Sequence, residues 1–164
     1  MFRNVWREKA QYTLALDTCA AKVKDFAYHF PAADIRCADA TKFSEWPPGI
    51  LFQIADFDTF GDPYPLVRAF FQAGNWMTPL IVVVGDSKLL HFKRAGIVPP
   101  ELWKRSRRGI YRGLRDAETY VDRLVWPWWA RLALKNQLTI KERSVAFNRG
   151  KTVAYYGLHF EHLL

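Results

Sequence analysis

Aspartates recur where apolar runs end. Asp17 closes Tyr12-Thr13-Leu14-Ala15-Leu16, and Asp39 closes Ile35-Arg36-Cys37-Ala38. Asp56 and Asp58 close the run that begins at Leu51, and Asp86 follows Leu80-Ile81-Val82-Val83-Val84-Gly85. An ionised carboxylate only accepts hydrogen bonds, so one at a strand end can hold ribose hydroxyls, an adenine amine or an ammonium group. The same residue can instead cap the helix that follows. Both uses stay open for each aspartate alone; several on one sheet rim favour the first. The densest group is Ile54-Ala55-Asp56-Phe57-Asp58-Thr59-Phe60-Gly61-Asp62-Pro63. Its first acid sits on the strand, its second at the lip, and Gly61 permits a sharp turn beside a ligand.

Strands and helices must alternate to bring these acids together. Residues 12–17, 34–39, 51–57 and 80–85 read as strands, the third apolar enough to be buried on both faces. Residues 2–10, 19–29 and 64–74 read as helices, the last with Pro65 in its first turn. Such alternation implies parallel strands with right-handed crossovers, and ligands then bind beyond the carboxyl ends of the strands. Residues 116–136 read as a helix interrupted at Pro127. Residues 138–147 and 152–161 read as a hairpin around Asn148-Arg149-Gly150-Lys151. The expected fold is α/β, a mostly parallel sheet closed by a C-terminal antiparallel β-hairpin, in one domain over residues 1–164.

Residues 54–63 resemble motif IV of the class I S-adenosylmethionine-dependent methyltransferases, whose sheet is Rossmann-like. They are most similar to the D-L-D-P-F-G-S-P pattern of the tRNA guanine dimethyltransferase family and of related phage and archaeal methyltransferase-like proteins. Asp56, Asp58, Phe60, Gly61 and Pro63 fall on matching positions, while Thr59 replaces the proline and Asp62 the serine. The N-P-P-Y form of the adenine-N6 enzymes is not present here. The resemblance continues in order through the second, third and fifth strands and the terminal hairpin. It implies that Asp17 binds the cofactor ribose, that Asp39 and Ala40 contact adenine, and that Asp56 lies beside the methionine end or the acceptor. It further implies that Asp58 holds or deprotonates the acceptor amine and that Phe60 stacks on the target base. The usual first strand and its glycine-rich loop have no counterpart before Asp17. The expected explanations are a truncated fragment, a strand supplied by a partner chain or homo-oligomer, or direct pairing of the second strand with the fourth.

Composition narrows the alternatives. Half of the 164 residues are hydrophobic, which supplies a core and argues against disorder. No apolar run is long enough for a membrane span, and residues 1–10 lack a secretory core, so no membrane partner and a cytoplasmic (intracellular) location are expected. Cys19 and Cys37 are too few for a disulfide framework or a four-ligand zinc site and are expected as free buried thiols. His159 and His162 should face opposite ways on a strand, so no metal is expected.

Of the net charge of +8, all lies in residues 88–115, where nine Lys/Arg accompany one acid, Glu101. Lys104, Arg105, Arg107, Arg108, Arg112 and Arg115 are candidate contacts to RNA or DNA phosphates; a solvated basic face is the alternative. Trp103 and Tyr111 could stack a base or pack in the core. Trp126, Trp128 and Trp129 form a heavy apolar face for the sheet or a partner. The expected function is methyl transfer from S-adenosylmethionine to nucleic acid, at a base nitrogen. The alternative is an inactive methyltransferase-like module or subunit that binds nucleic acid; a weaker third is an unrelated nucleotide-binding α/β protein.

Overall fold

The structure is a computed structural model that describes residues 13–42, 49–58, 61–103 and 109–163. The chain divides into two compact units, residues 1–46 and 47–164. The expected helix over residues 2–10 lies outside the described residues.

The first unit is a βαβ turn of chain. Strand β1 (Leu14–Asp17) and strand β2 (Asp34–Cys37) pair in parallel, joined by helix α1 (Ala20–His29). Parallel neighbours need such a crossover because a tight turn cannot reverse direction twice. Packing here is thin: no residue of α1 is buried, and Tyr28 is 83% exposed. Cys19 and Cys37 are accordingly free but exposed, which corrects the expectation of buried thiols.

The second unit holds a four-stranded sheet in the order β3-β4-β8-β7. Strand β3 (Phe52–Asp58) pairs in parallel with β4 (Trp76–Asp86) through helix α2 (Tyr64–Ala73). Strand β8 (Ala154–His162) runs antiparallel to both β4 and β7 (Leu138–Phe147). The parallel run with its antiparallel hairpin is therefore as expected. Among the described residues β1 pairs only with β2, and β3 only with β4.

Leu80, Val82 and Val84 of β4 and Tyr156, Leu158 and Phe160 of β8 form the core face. Helix α2 lays Val67, Phe70 and Phe71 onto it, a helical repeat that puts all three on one side. The Phe71–Phe160 and Phe57–Phe70 rings meet at 5.7 and 5.4 Å. Gly74, at φ 70°, ends α2 in the left-handed conformation that glycine adopts without strain. Strand β3 alternates rather than being buried on both faces: Ala55 and Phe57 are buried, while Asp56 and Asp58 are exposed on the other side. Pro79 sits in β4 without disrupting a ladder, because the β3–β4 register breaks between Phe52 and Ile54 and the pairing with β8 begins at Leu80.

Beyond β4 the chain forms helix α3 (Lys88–Ala95), strand β5 (Ile97–Val98), helix α4 (Pro100–Trp103) and strand β6 (Gly109–Ile110). Helix α5 (Ala117–Tyr120) then passes through a π turn (Val121–Val125) into helix α6 (Trp126–Lys135). The interruption expected at Pro127 is this π turn. Proline has no N–H to donate, and its ring crowds the carbonyl one turn back; the wider turn absorbs both defects. Trp128 and Trp129 come to lie on the core face, with Trp129 fully buried 5.9 Å from the Phe160 ring. In the hairpin, Asn148 organises the turn: its Oδ1 accepts the N–H groups of Thr152 and Val153 at 2.7 and 3.1 Å. The positive φ there belongs to Lys151, not to Gly150.

Candidate functional site

The site is built on the face of the second unit's sheet that α2 and α6 leave open. The two-residue period of β3 places Asp56 and Asp58 together on that face. In register, Asp56 lies beside Val83 and Asp58 beside Gly85, and Gly85 in turn lies beside Tyr155 of β8. A Cβ on Gly85 would stand 2.9 Å from Asp58 Oδ1 and 3.7 Å from Tyr155 Cε1. Glycine therefore makes the floor on which the Asp58 carboxylate rests, with a tyrosine ring at its far side. Asp58 has no hydrogen-bond or ion-pair partner among the described residues. Burial around Asp56, then repulsion from the Asp58 carboxylate, raises the Asp56 pKa.

The chain leaving β3 is tied down. Gly61 has φ 136°, a conformation open to glycine and rare for other residues. Its carbonyl accepts the Ser87 hydroxyl at 3.1 Å, and Asp62 Oδ1 accepts the Tyr64 N–H at 3.2 Å. Thr59 and Phe60 lie outside the described residues.

Asp86, expected at the rim as a ligand acid, is fully buried instead. Its Oδ2 accepts the hydroxyls of Tyr64, Tyr120 and Tyr156 at 2.5, 3.0 and 3.3 Å, and its Oδ1 accepts the Lys88 N–H at 2.8 Å. Burial pushes its pKa up to about 6, and the hydrogen bonds hold it from rising further. Burial and the neighbouring carboxylate also drive the three tyrosine hydroxyls well above their ordinary pKa. Sequence reading missed this cluster because Tyr64, Tyr120 and Tyr156 meet only through the fold. The one local signal was an acid directly after an unbroken apolar strand.

The two acids of the first unit are engaged locally. Asp17 Oδ1 accepts the Cys19 N–H at 2.7 Å, and Lys22 Nζ lies 3.6 Å from Oδ2. Asp39 Oδ1 accepts the hydroxyl and the N–H of Thr41 at 2.7 and 3.0 Å, which lowers its pKa. Ala40 is half-buried beside it. So Asp17, Asp39 and Asp86 each accept the backbone N–H two residues on, a local turn rather than a helix N-cap.

The fold has counterparts in solved structures. NodS, an N-methyltransferase from Bradyrhizobium japonicum WM9 in complex with S-adenosyl-L-homocysteine, superposes with a TM-score of 0.51 at 11% identity, over 91% of this chain and 66% of that one. A candidate rRNA methylase from Clostridium thermocellum gives 0.53 at 9% identity, over 91% and 72%. The fold is that of class I methyltransferases. A candidate methylase from Haemophilus influenzae also carries this methyltransferase fold, with a TM-score of 0.50 at 10% identity over 93% and 67%. The chain thus spans about two thirds of the length of these methyltransferase-fold structures. Neither a protein-family model nor a curated protein sequence matches it.

Of the candidate nucleic-acid residues, Arg112 and Arg115 are exposed, and Lys104, Arg105, Arg107 and Arg108 lie outside the described residues. Trp103 and Tyr111 pack edge to face at 6.3 Å, and Tyr111 also meets Phe92 at 5.4 Å, so Tyr111 packs against the second unit's core. Trp126 packs on Tyr156 and Trp128 on Tyr64. Among the described residues no group of three or more His, Cys, Asp or Glu could hold a metal ion, and no helix is long and apolar enough to cross a membrane.

Proposed function

We propose that the chain carries part of an S-adenosylmethionine-dependent methyltransferase acting on a nitrogen of a nucleic-acid base. The observation that carries this reading is the carboxylate pair Asp56 and Asp58 on one face at the carboxyl end of β3, with Asp58 unpartnered above Gly85. Open α/β sheets bind their ligands at that end. Carboxylates suit the cofactor's donors, which are an ammonium, ribose hydroxyls and an adenine amine. Asp17 and Asp39 each use Oδ1 for the turn that follows, and in this reading present their carboxylates to ribose and adenine, with Ala40 against the adenine ring. When bound, the cofactor supplies an electrophilic methyl group.

The chain's own part is alignment and proton handling. Asp58 accepts a hydrogen bond from the acceptor amine, which turns its lone pair toward the methyl donor and gives the released proton a destination. Asp56, with its raised pKa, flanks the reacting centre. Phe60 stacks on the target base, and the basic segment including Arg112 and Arg115 holds the phosphates. Titration of the full chain with S-adenosylhomocysteine tests the reading. Saturable binding that weakens in Asp56→Asn supports it; absence of binding at millimolar concentration rejects autonomous methyl transfer.

A second reading, an inactive nucleic-acid-binding module or partner subunit, is favoured by the confinement of the net charge to residues 88–115. It requires salt-sensitive RNA or DNA binding without cofactor affinity, weakened by charge reversal at Arg105, Arg107 and Arg108.

A further inference from the structure

We propose that Asp86 is a positioning residue whose ionisation tightens the turn of residues 61–64 beside Asp58, so that this edge of the site is firmer when Asp86 is charged. The proposal concerns regulation of the face assigned above, and only its consequence for ligand binding rests on that assignment.

Two grips run from Asp86 to the turn. Through Oδ2 it holds the hydroxyl of Tyr64, the residue that follows Pro63 and opens α2. Through Oδ1 it holds the Lys88 N–H, which fixes the bend at Ser87, and the Ser87 hydroxyl in turn holds the Gly61 carbonyl. With the carboxylate charged, three hydroxyls and one N–H all donate to it, and charge-assisted bonds of this kind are the strong ones.

A proton must disturb one grip or the other. On Oδ2 it is a fourth hydrogen at an oxygen that already receives three, so a hydroxyl has to turn away. Tyr64 has an alternative partner, the Tyr120 hydroxyl at 3.4 Å. On Oδ1 the proton opposes the Lys88 N–H, and the bend at Ser87 loosens instead. Either position relaxes residues 61–64.

Among the described residues, the side chains that hydrogen-bond to Asp86 are three tyrosines, and the histidine on α3, His91, is exposed. Helix α2 contributes Tyr64, α5 Tyr120 and β8 Tyr156, all with hydroxyl pKa values driven upward, so they stay protonated. Helix α3 contributes the Lys88 backbone. Helix α6 places Trp128 against Tyr64 and Trp126 against Tyr156, and neither ring titrates. Asp86 itself, at about 6, changes charge within the physiological range.

The test is amide hydrogen exchange across pH 5 to 8 on the isotopically labelled full chain, with the Asp86 carboxyl carbon followed by NMR. The informative amides are those of Tyr64 and Val67, whose N–H groups bond to Asp62 Oδ1 and the Pro63 carbonyl. Their protection, corrected for intrinsic exchange, should rise at least ~tenfold through the Asp86 midpoint, while Thr152 in the hairpin does not follow. Asp86→Asn should abolish the transition. Tyr64→Phe, which removes the Oδ2 grip and leaves the Oδ1 grip, should shrink it while the Asp86 carbon still titrates, which guards against a misfolded Asn variant. Flat protection across the midpoint, or an unchanged transition in either variant, overturns the proposal. Affinity for S-adenosylhomocysteine that rises with pH through the same midpoint supports it, and pH-independent affinity counts against it. No binding at any pH rejects the methyltransferase reading alone, since the exchange data still decide whether the tether exists.

Discussion

Replacing Asp86 by Asn should change how stability depends on pH, and the size follows from burial. In the unfolded chain Asp86 titrates near 3.8, and in the folded protein near 6. Below 3.8 it is protonated in both states and its effect is neutral. Between the two values the unfolded chain ionises first, so stability falls as pH rises. Above 6 both states are charged and the loss is complete. The shift corresponds to a loss of about 3 kcal/mol, a large fraction of the stability of most domains. Urea unfolding at half-unit steps from pH 4 to 8, followed by tryptophan fluorescence, measures it; Trp126 and Trp128 pack directly on two of the tyrosines. Other carboxylates titrate equally in both proteins and cancel in the difference. Wild type minus Asp86→Asn should therefore decline by about 2.4 kcal/mol from pH 4 to 7, the rest of the loss falling below pH 4, and then level off. Parallel curves for the two proteins would refute the assignment of a buried, costly carboxylate.

Three further outcomes can be checked. Gly85→Ala inserts a methyl 2.9 Å from Asp58 Oδ1; the exposed carboxylate can swing aside, so stability should change by less than about 1 kcal/mol, whereas on the proposed reading methyl transfer should fall ~tenfold or more. Trp129→Ala, at a fully buried ring between Phe71 and Phe160, should cost about 3–5 kcal/mol in denaturant unfolding. On the proposed nucleic-acid reading, Arg112→Glu with Arg115→Glu should weaken RNA binding and flatten its salt dependence by about 0.7 per lost phosphate contact on single strands; unchanged affinity would count against that reading.

The alternation of apolar runs and helical stretches carried the parallel pairing within each unit, because parallel strands need crossovers whatever the sequence details. The hairpin was legible from Asn148, although its left-handed residue turned out to be Lys151. What the sequence hid depended on which faces are covered. The apolar run ending at Asp58 looked buried on both sides, yet its burial alternates, with Ala55 and Phe57 buried and Asp56 and Asp58 exposed on the opposite face. Cys19 and Cys37 looked like core thiols because composition cannot show how thin the first unit's packing is. Asp86 read as one more rim acid, since nothing local reports that three distant tyrosines converge on it.

The widened turn at Val121–Val125 sets the phase between two halves of what is otherwise one helix. Upstream, Tyr120 aims at Asp86; downstream, Trp128 and Trp129 aim at the sheet. One residue more or fewer between them would rotate one half against the other by about 100°. The spacing from Tyr120 to Trp129 is therefore a fixed length, and natural variation in this stretch should substitute residues but not insert or delete them.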